Sequence, residues 1–201
     1  MGTFLGPAPT ITPDEITEEM LSKYQCIYIE GYLLVNEPLV RSTMEKAKKL
    51  GLKVALDLSN FNIVNAFKGM LEDIIPKYVD ILFSNESEAE AFTGQKAAEA
   101  VHTLSELVEV SLVTLGKEGA LIGSHGQFYS VPAEGGKPVD TTGAGDNFAA
   151  GFLYGQSIGA SLVQSARIGS MLAGYVIDVV GPEIPYDKWE QIKLKVKGIL
   201  A

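Results

Sequence analysis

The sequence predicts an α/β fold built around a mostly parallel central sheet, and three observations lead there. Short β-branched runs alternate with longer amphipathic segments, which is the pattern of βα units. Glycine or proline stands where one element hands over to the next, as at Gly51 and Pro76. The composition, 46% apolar and 20% charged with 21 glycines, belongs to an ordinary globular protein and not to a collagenous or disordered chain.

Cys26 to Tyr32 reads as the first strand, and Glu37 to Leu50 as a helix with Gly51 at its C-terminal cap. Lys53 to Leu58 follows as a buried strand, Ile63 to Ile75 as a helix stopped by Pro76, and Tyr78 to Phe83 as another strand. Glu86 to Phe92 makes a short helix ending at Gly94, Ala97 to Leu107 a second, and Val110 to Leu115 the next strand. Then the pattern changes. Ala120 to Ile122 and Gln127 to Val131, separated by Gly123-Ser124-His125-Gly126, read as a hairpin. Gly135-Gly136-Lys137-Pro138 is a loop, and three helical segments follow, Gly145 to Ile158, Ser161 to Val179 and Tyr186 to Leu200, broken at Gly159 and Gly181-Pro182. No repeat or low-complexity linker interrupts this order, so residues 1–201 are expected to form a single domain.

The formal charge of −9, without any lysine or arginine cluster, argues against nucleic acid as a partner, because phosphate contacts need a basic patch. Cys26 is the single cysteine, so no intrachain disulfide forms, and its apolar surroundings suit a buried small hydrophobe. His102 and His125 lie far apart, lack metal-site spacing and are expected on the surface. The N-terminus has no basic n-region or long apolar core, which points to a cytoplasmic protein. The apolar stretch Met171 to Val180 is interrupted by Asp178 and closed by Gly181-Pro182, well short of a membrane span.

The most informative stretch is Asp140-Thr141-Thr142-Gly143-Ala144-Gly145-Asp146, which opens an apolar helix. Glycines let backbone N–H groups approach an anion, and a helix N-terminus adds the positive end of its dipole, so the turn suits phosphate. A carboxylate beside a phosphate site repels the ligand unless it acts on a hydroxyl, which makes Asp146 a natural general base for phosphoryl transfer. The alternative is that Asp146 merely caps the helix, and the residues alone leave both readings open. Gly135-Gly136-Lys137 is not a Walker A loop, since Pro138 follows it; Gly143-Ala144-Gly145 lacks the third glycine of a dinucleotide fingerprint, because Phe148 occupies that place.

The stretch from Asp140 to Asp146, with the following Asn-Phe-Ala-Ala-Gly-Phe, closely resembles the C-terminal signature of the PfkB-type carbohydrate kinase family, which includes ribokinases, fructokinases and adenosine kinases. Asn85-Glu86-Ser87-Glu88 resembles that family's Asn-Glu-x-Glu segment, and Val113-Thr114-Leu115-Gly116-Lys117-Glu118-Gly119 its nucleotide-side turn. Three motifs in the family's order cover most of the chain. The resemblance implies a ribokinase-like three-layer α/β/α fold and transfer of a phosphoryl group from ATP, with Mg²⁺, to the hydroxymethyl group of a small sugar or nucleoside. Under it Asp146 is the catalytic base and also meets the substrate, while the amides of Gly143, Ala144 and Gly145 form the anion hole. Asn85 approaches the phosphates and Glu88 acts through water on Mg²⁺; three-residue spacing puts both on one helix face. The other reading of Glu86, Glu88 and Glu90 is a solvated acidic face. Thr114, Gly116 and Gly119 line the nucleotide cleft. Thr142 and Asp140 help hold a monovalent cation such as K⁺, with Thr142 also counted toward the cofactor. Ser170 falls on the adenine side, although Ser165, Ser170 and Met171 equally suit helix packing.

Members of the family begin with further strands and a small β lid, and Met1 to Thr12 resembles the strand and loop that come after these. The chain is therefore expected to lack the N-terminal strands and the lid. Glu30-Gly31-Tyr32 resembles a segment facing the acceptor, so Glu30 is a substrate candidate against the plainer reading of a solvated strand end. Asp57 and Asn60 end the next strand, where ligands of open α/β sheets collect. The competing hypothesis is a nucleotide-binding fragment without turnover, or one that needs a complementing chain; open sheet edges would favour self-association, a homodimer included.

Overall fold

The structure is a computed structural model and describes residues 6–7 and 10–201. Most of the segment 1–12 therefore lies outside the described residues. The elements run α1 Glu18–Leu21, β1 Cys26–Glu30, α2 Glu37–Lys49, β2 Lys53–Asp57, α3 Phe61–Ala66, α4 Lys68–Tyr78, β3 Ile81–Asn85, α5 Glu86–Thr93, α6 Ala97–Ser105, β4 Val110–Thr114, β5 Ala120–Ser124, β6 Gln127–Val131, α7 Ala144–Ser157, α8 Leu162–Val176 and α9 Trp189–Leu200. The strands are hydrogen-bonded in chain order, β1 to β6. β1 pairs with β2 and β2 with β3 in parallel, and the two-residue connection between β5 and β6 makes that pair a hairpin. The predicted α/β fold with a mostly parallel sheet is what forms.

Contacts divide the chain into two compact units. The first runs through Val113 and includes Gly123–Gln127; the second comprises Thr114–Ile122 and Phe128–Ala201. In the first, Leu56, Leu82 and Leu112 of the strands are fully buried together with Met44, Leu71, Ile74 and Leu104 of the helices. Parallel strands covered by helices need such apolar residues, since both faces of the sheet are buried. In the register of β1, β2 and β3, Glu30 stands opposite Asp57 and Asp57 opposite Phe83, so Glu30, Asp57 and Asn85 end near one edge of the sheet.

Several boundaries differ from the expectation, two of them for reasons visible in the packing. The chain leaves β1 at Glu30 and enters a 3₁₀ turn over Gly31–Val35, because the Gly31 amide donates to Ser59 Oγ at 2.8 Å and a Cβ on Gly31 would stand 2.6 Å from the Leu58 carbonyl oxygen. The helix expected over 63–75 is two helices broken at Phe67, and Pro76 lies inside α4 instead of ending it. Pro76 falls in the last turn, where the carbonyl it leaves unpaired belongs to exposed Glu72, so the helix tolerates it. Cys26 is a free, half-buried thiol whose pKa is raised chiefly by burial, and both histidines are exposed as expected.

In the second unit α7 and α8 touch backbone to backbone. A Cβ on Gly151 would lie 2.7 Å from the Gly169 Cα, and one on Gly155 would lie 2.5 Å from Ser165 Oγ. Small residues four apart on both helices permit this approach. Behind it Ile168, Met171 and Val176 of α8 pack against Ile184 and against Ile192, Val196 and Ile199 of α9. The pair is thereby a rigid base for the turn that opens α7. No described helix is long and apolar enough to cross a membrane.

Candidate functional site

The turn before α7 is organised by Asp140. Its Oδ1 accepts bonds from the Thr142 amide at 2.9 Å and the Thr142 hydroxyl at 2.7 Å, and its Oδ2 accepts from the Gly181 amide at 3.0 Å. These donors, the Gly181 amide first, hold the carboxyl below the usual carboxylate range. Asp140 and Thr142, the residues expected to help hold a monovalent cation, thus form a clasp between the turn and the loop after α8. The Val139 and Asp140 amides strengthen the clasp by both donating to the Ile177 carbonyl, at 2.8 and 3.3 Å.

Gly143 is the N-cap of α7, with φ of 79° and a Cβ position only 2.8 Å from Pro182 Cβ, so glycine alone fits. Having no side chain, it makes no cap bond, and the first turn keeps unpaired donors. Of the three amides expected to form the anion hole, one is already engaged. The Ala144 amide donates to the Thr141 carbonyl at 3.2 Å, which closes the turn, whereas the amides of Gly143, Gly145 and Asp146 make no hydrogen bond among the described residues. Asp146, third residue of α7, is exposed, and its carboxylate has no hydrogen-bond or ion-pair partner among the described residues. The alternative of a capping aspartate is not what the structure contains.

A cavity of about 420 Å³ opens beside this turn. Thr114, Gly116 and Gly119 line it, as do Ala144 and Gly145. Ser170, Gly174 and Ile177 of α8 and the loop after it share one helical face and form another part of the wall. Ser170 Oγ donates to the Pro132 carbonyl at 2.9 Å and accepts from the Glu134 amide at 3.0 Å, so this hydroxyl holds the loop against α8 while lining the cavity. Thr142, expected to meet the cofactor, is replaced in the wall by its neighbour Thr141, since the clasp draws Thr142 toward Asp140. Sequence reasoning missed Lys117, Glu134, Gly136, Phe148 and Gly174. The available signal was Gly174, four residues after Ser170: a Cβ there would lie 1.9 Å from the Glu134 carbonyl oxygen. Unpaired amides at the positive end of a helix stabilise an anion, and the apolar part of the wall, Ala133, Phe148, Ala173 and Ile177, suits a flat aromatic group.

Asn85, Glu88 and Glu30 belong to the first unit. Asn85 ends β3 and caps α5: its Oδ1 accepts from the Glu88 amide at 3.0 Å, and the Glu88 carboxylate accepts from the Asn85 amide at 2.8 Å and from Asn85 Nδ2 at 2.7 Å. The three-residue spacing is a capping box and not a shared helix face. Glu88 is only 4% exposed, so it is no part of a solvated acidic surface. Burial, reinforced by the charge of Asp57, pushes its pKa up to about 7 against the opposing bonds from Asn85. Glu30 is exposed at the strand end. Asp57 accepts from the Tyr28 hydroxyl at 3.2 Å and the Ser59 amide at 2.7 Å, and Asn60 caps α3. Among the described residues no three His, Cys, Asp or Glu side chains gather as a metal site.

The sequence profile of the pfkB family carbohydrate kinases matches residues 2–189. The chain is 32% identical over 203 residues to the adenosine kinase of Saccharomyces cerevisiae, covering 92% of this chain and 59% of that protein. Two solved structures superpose closely. The probable sugar kinase of Rhizobium etli matches with a TM-score of 0.88 at 29% identity over 95% of this chain, and the adenosine kinase of Sinorhizobium meliloti with 0.87 at 28% over 93%. In each case the chain spans 59% of the other protein's length.

Proposed function

The chain belongs to the pfkB family of carbohydrate kinases, and on that premise we propose that it transfers the γ-phosphoryl group of ATP to a hydroxymethyl group of a small sugar or nucleoside. The observation that carries this reading is Asp146, an exposed carboxylate without a partner among the described residues, in a helical first turn whose amides stand open. An acid left uncommitted at an anion-binding turn has a use if the acceptor alcohol lies beside it.

Asp146 accepts the proton of that alcohol as its oxygen forms a bond to the γ-phosphorus. The bond from the γ-phosphorus to the β-bridging oxygen breaks, and ADP leaves with the electron pair. The amides of Gly143, Gly145 and Asp146 meet the charge on the transferring oxygens, and each such preorganised donor is worth on the order of 10² to 10³ in rate. Thr114, Gly116, Gly119 and Ser170 line the cavity in which the nucleotide lies, its base against Phe148, Ala173 and Ile177. Bound Mg²⁺ would supply charge neutralisation at the phosphates. Glu88 fits an action on it through water, since both its oxygens already accept bonds from Asn85. Glu30 is the acid proposed to meet the acceptor. The adenosine kinases of S. cerevisiae and S. meliloti make adenosine the first acceptor to test.

The test is a coupled assay with ATP, Mg²⁺ and a panel of adenosine and small sugars, alongside calorimetry with ATP. Asp146→Asn is expected to lower turnover by about 10² to 10⁴ while leaving ATP affinity nearly unchanged. Near-normal turnover in the variant removes the role assigned to Asp146. ATP binding without turnover in the unaltered chain favours the fragment that needs a complementing chain.

A further inference from the structure

Among the described residues two positions other than glycine have a positive φ, Ser59 at 62° and His125 at 48°. His125 sits in the two-residue turn of the β5–β6 hairpin, where that backbone is the favoured one. Ser59 has no hairpin to account for it. It stands at the centre of a three-residue turn: the Asn60 amide donates to the Leu58 carbonyl at 2.7 Å, so the chain doubles back around Ser59 in the rare, strained hand of the γ-turn. Asp57 holds it there, its Oδ1 accepting from the Ser59 amide at 2.7 Å and its Oδ2 from the Tyr28 hydroxyl of β1 at 3.2 Å. Strain of this kind persists only where surrounding contacts over-determine it, and it gathers where a group has to be aimed.

Glycine is the residue that this backbone favours, and the group that serine adds is a hydroxyl. That hydroxyl is used twice. Ser59 Oγ accepts from the Gly31 amide at 2.8 Å and donates to the Asp57 carbonyl at 3.3 Å. Glu30 and Asp57 are the last paired residues of β1 and β2, so the bond to Gly31 carries the ladder one residue past its end. The Gly31 amide shares its peptide plane with the Glu30 carbonyl, and holding that plane fixes ψ of Glu30, at 140°. Glu30 is exposed, and its carboxylate has no hydrogen-bond or ion-pair partner among the described residues. With no side-chain bond of its own, it is aimed by its backbone.

We propose that Ser59 is a positioning residue for the acceptor: through the Gly31 amide it holds Glu30 at the carboxyl end of the sheet, where the carboxylate accepts from an acceptor hydroxyl. This rests on the reading of Glu30 as the acid that meets the acceptor. Ligands of open α/β sheets collect at this end of the strands, and a misplacement of about 1 Å there is enough to cost on the order of 10²-fold.

Calorimetric titration of the full chain with adenosine, together with steady-state kinetics with ATP and Mg²⁺, tests this in Ser59→Ala, Ser59→Gly and Glu30→Gln. Both serine variants are expected to weaken adenosine about tenfold, as Glu30→Gln does, while the KM for ATP stays within about twofold. Ser59→Gly is also expected to unfold at the same or a higher urea concentration, because glycine adopts positive φ without strain. A serine that merely ties the sheet end together gives the reverse pattern, a lower urea midpoint in both variants with unchanged adenosine affinity, and that result overturns the proposal. So does a Ser59→Ala/Glu30→Gln double variant whose losses add, since a strut that acts through Glu30 then has nothing left to position. Unchanged affinity in Glu30→Gln, or an unaltered chain that does not take adenosine at all, removes the reading of Glu30 and the role of Ser59 with it.

Discussion

Helices α5 and α7 both carry an acid at their third position, and they use it in opposite ways. In α5 the cap is Asn85, whose side chain and amide close on Glu88 from both sides, and the carboxylate disappears into the first unit. In α7 the cap is Gly143, which has no side chain to close anything, and Asp146 stays in water without a partner among the described residues. A side-chain cap satisfies the orphan amides of a first turn, whereas a glycine cap preserves them for a ligand. The identity of one cap residue therefore separates a carboxylate closed in by its cap from one left open to solvent.

The strongest way to break this contrast is to give α7 a side chain at its cap. Gly143→Ala must hold a left-handed backbone, at about 1–2 kcal/mol, and press a methyl group onto Pro182, at about 1–3 kcal/mol. A loss of about 2–5 kcal/mol in unfolding free energy is expected from these two sources. Urea denaturation followed by the fluorescence of Trp189, the single tryptophan, would read it. An unchanged midpoint would mean that the turn does not depend on glycine.

Much of the fold was legible because its signals are local. Gly51 and Gly94 end their helices at φ of 76° and 75°, which only the cap chemistry of those positions requires. The hairpin was legible too, but its turn is His125-Gly126 and not the four residues from Gly123. Gly123 stays in β5 because a Cβ there would lie 2.8 Å from Ser105 Cβ and from Ser111 Oγ, a packing constraint set by distant residues. The site divides the same way. Thr114, Gly116, Gly119 and Gly145 reach the cavity wall as their motifs suggest, while Lys117, Glu134 and Gly174 do so only through the crossing of a loop over α8. Whether Thr141 or Thr142 faces the cavity depends on which hydroxyl Asp140 captures, and adjacent threonines carry no signal of that choice.

The second way to sharpen the contrast is pH. Burial raises the Glu88 pKa to about 7, above its reference value of 4.5, so the folded chain holds this proton more tightly than the unfolded one. Stability is then greatest below the unfolded pKa, falls as pH rises from 4.5 to about 7, and levels off above that. The full span corresponds to about 3 kcal/mol. Urea midpoints collected across this range should follow that slope, and Glu88→Gln should flatten it while gaining stability at pH 8. A chain whose stability is flat through the window, or rises, would show that Glu88 is not buried as described.

The smallest expected effect is the most discriminating. Asp146→Asn removes a charge that is exposed and unbonded, so it forfeits only its interaction with the helix dipole, under about 1 kcal/mol. The same substitution is expected to cost turnover by orders of magnitude, so the two measurements on one variant separate chemistry from scaffold. If its unfolding free energy instead drops as far as that of Gly143→Ala, the aspartate is holding the first turn of α7 together. The difference between the two helices would then lie in how the acid caps, and not in whether it is free to act.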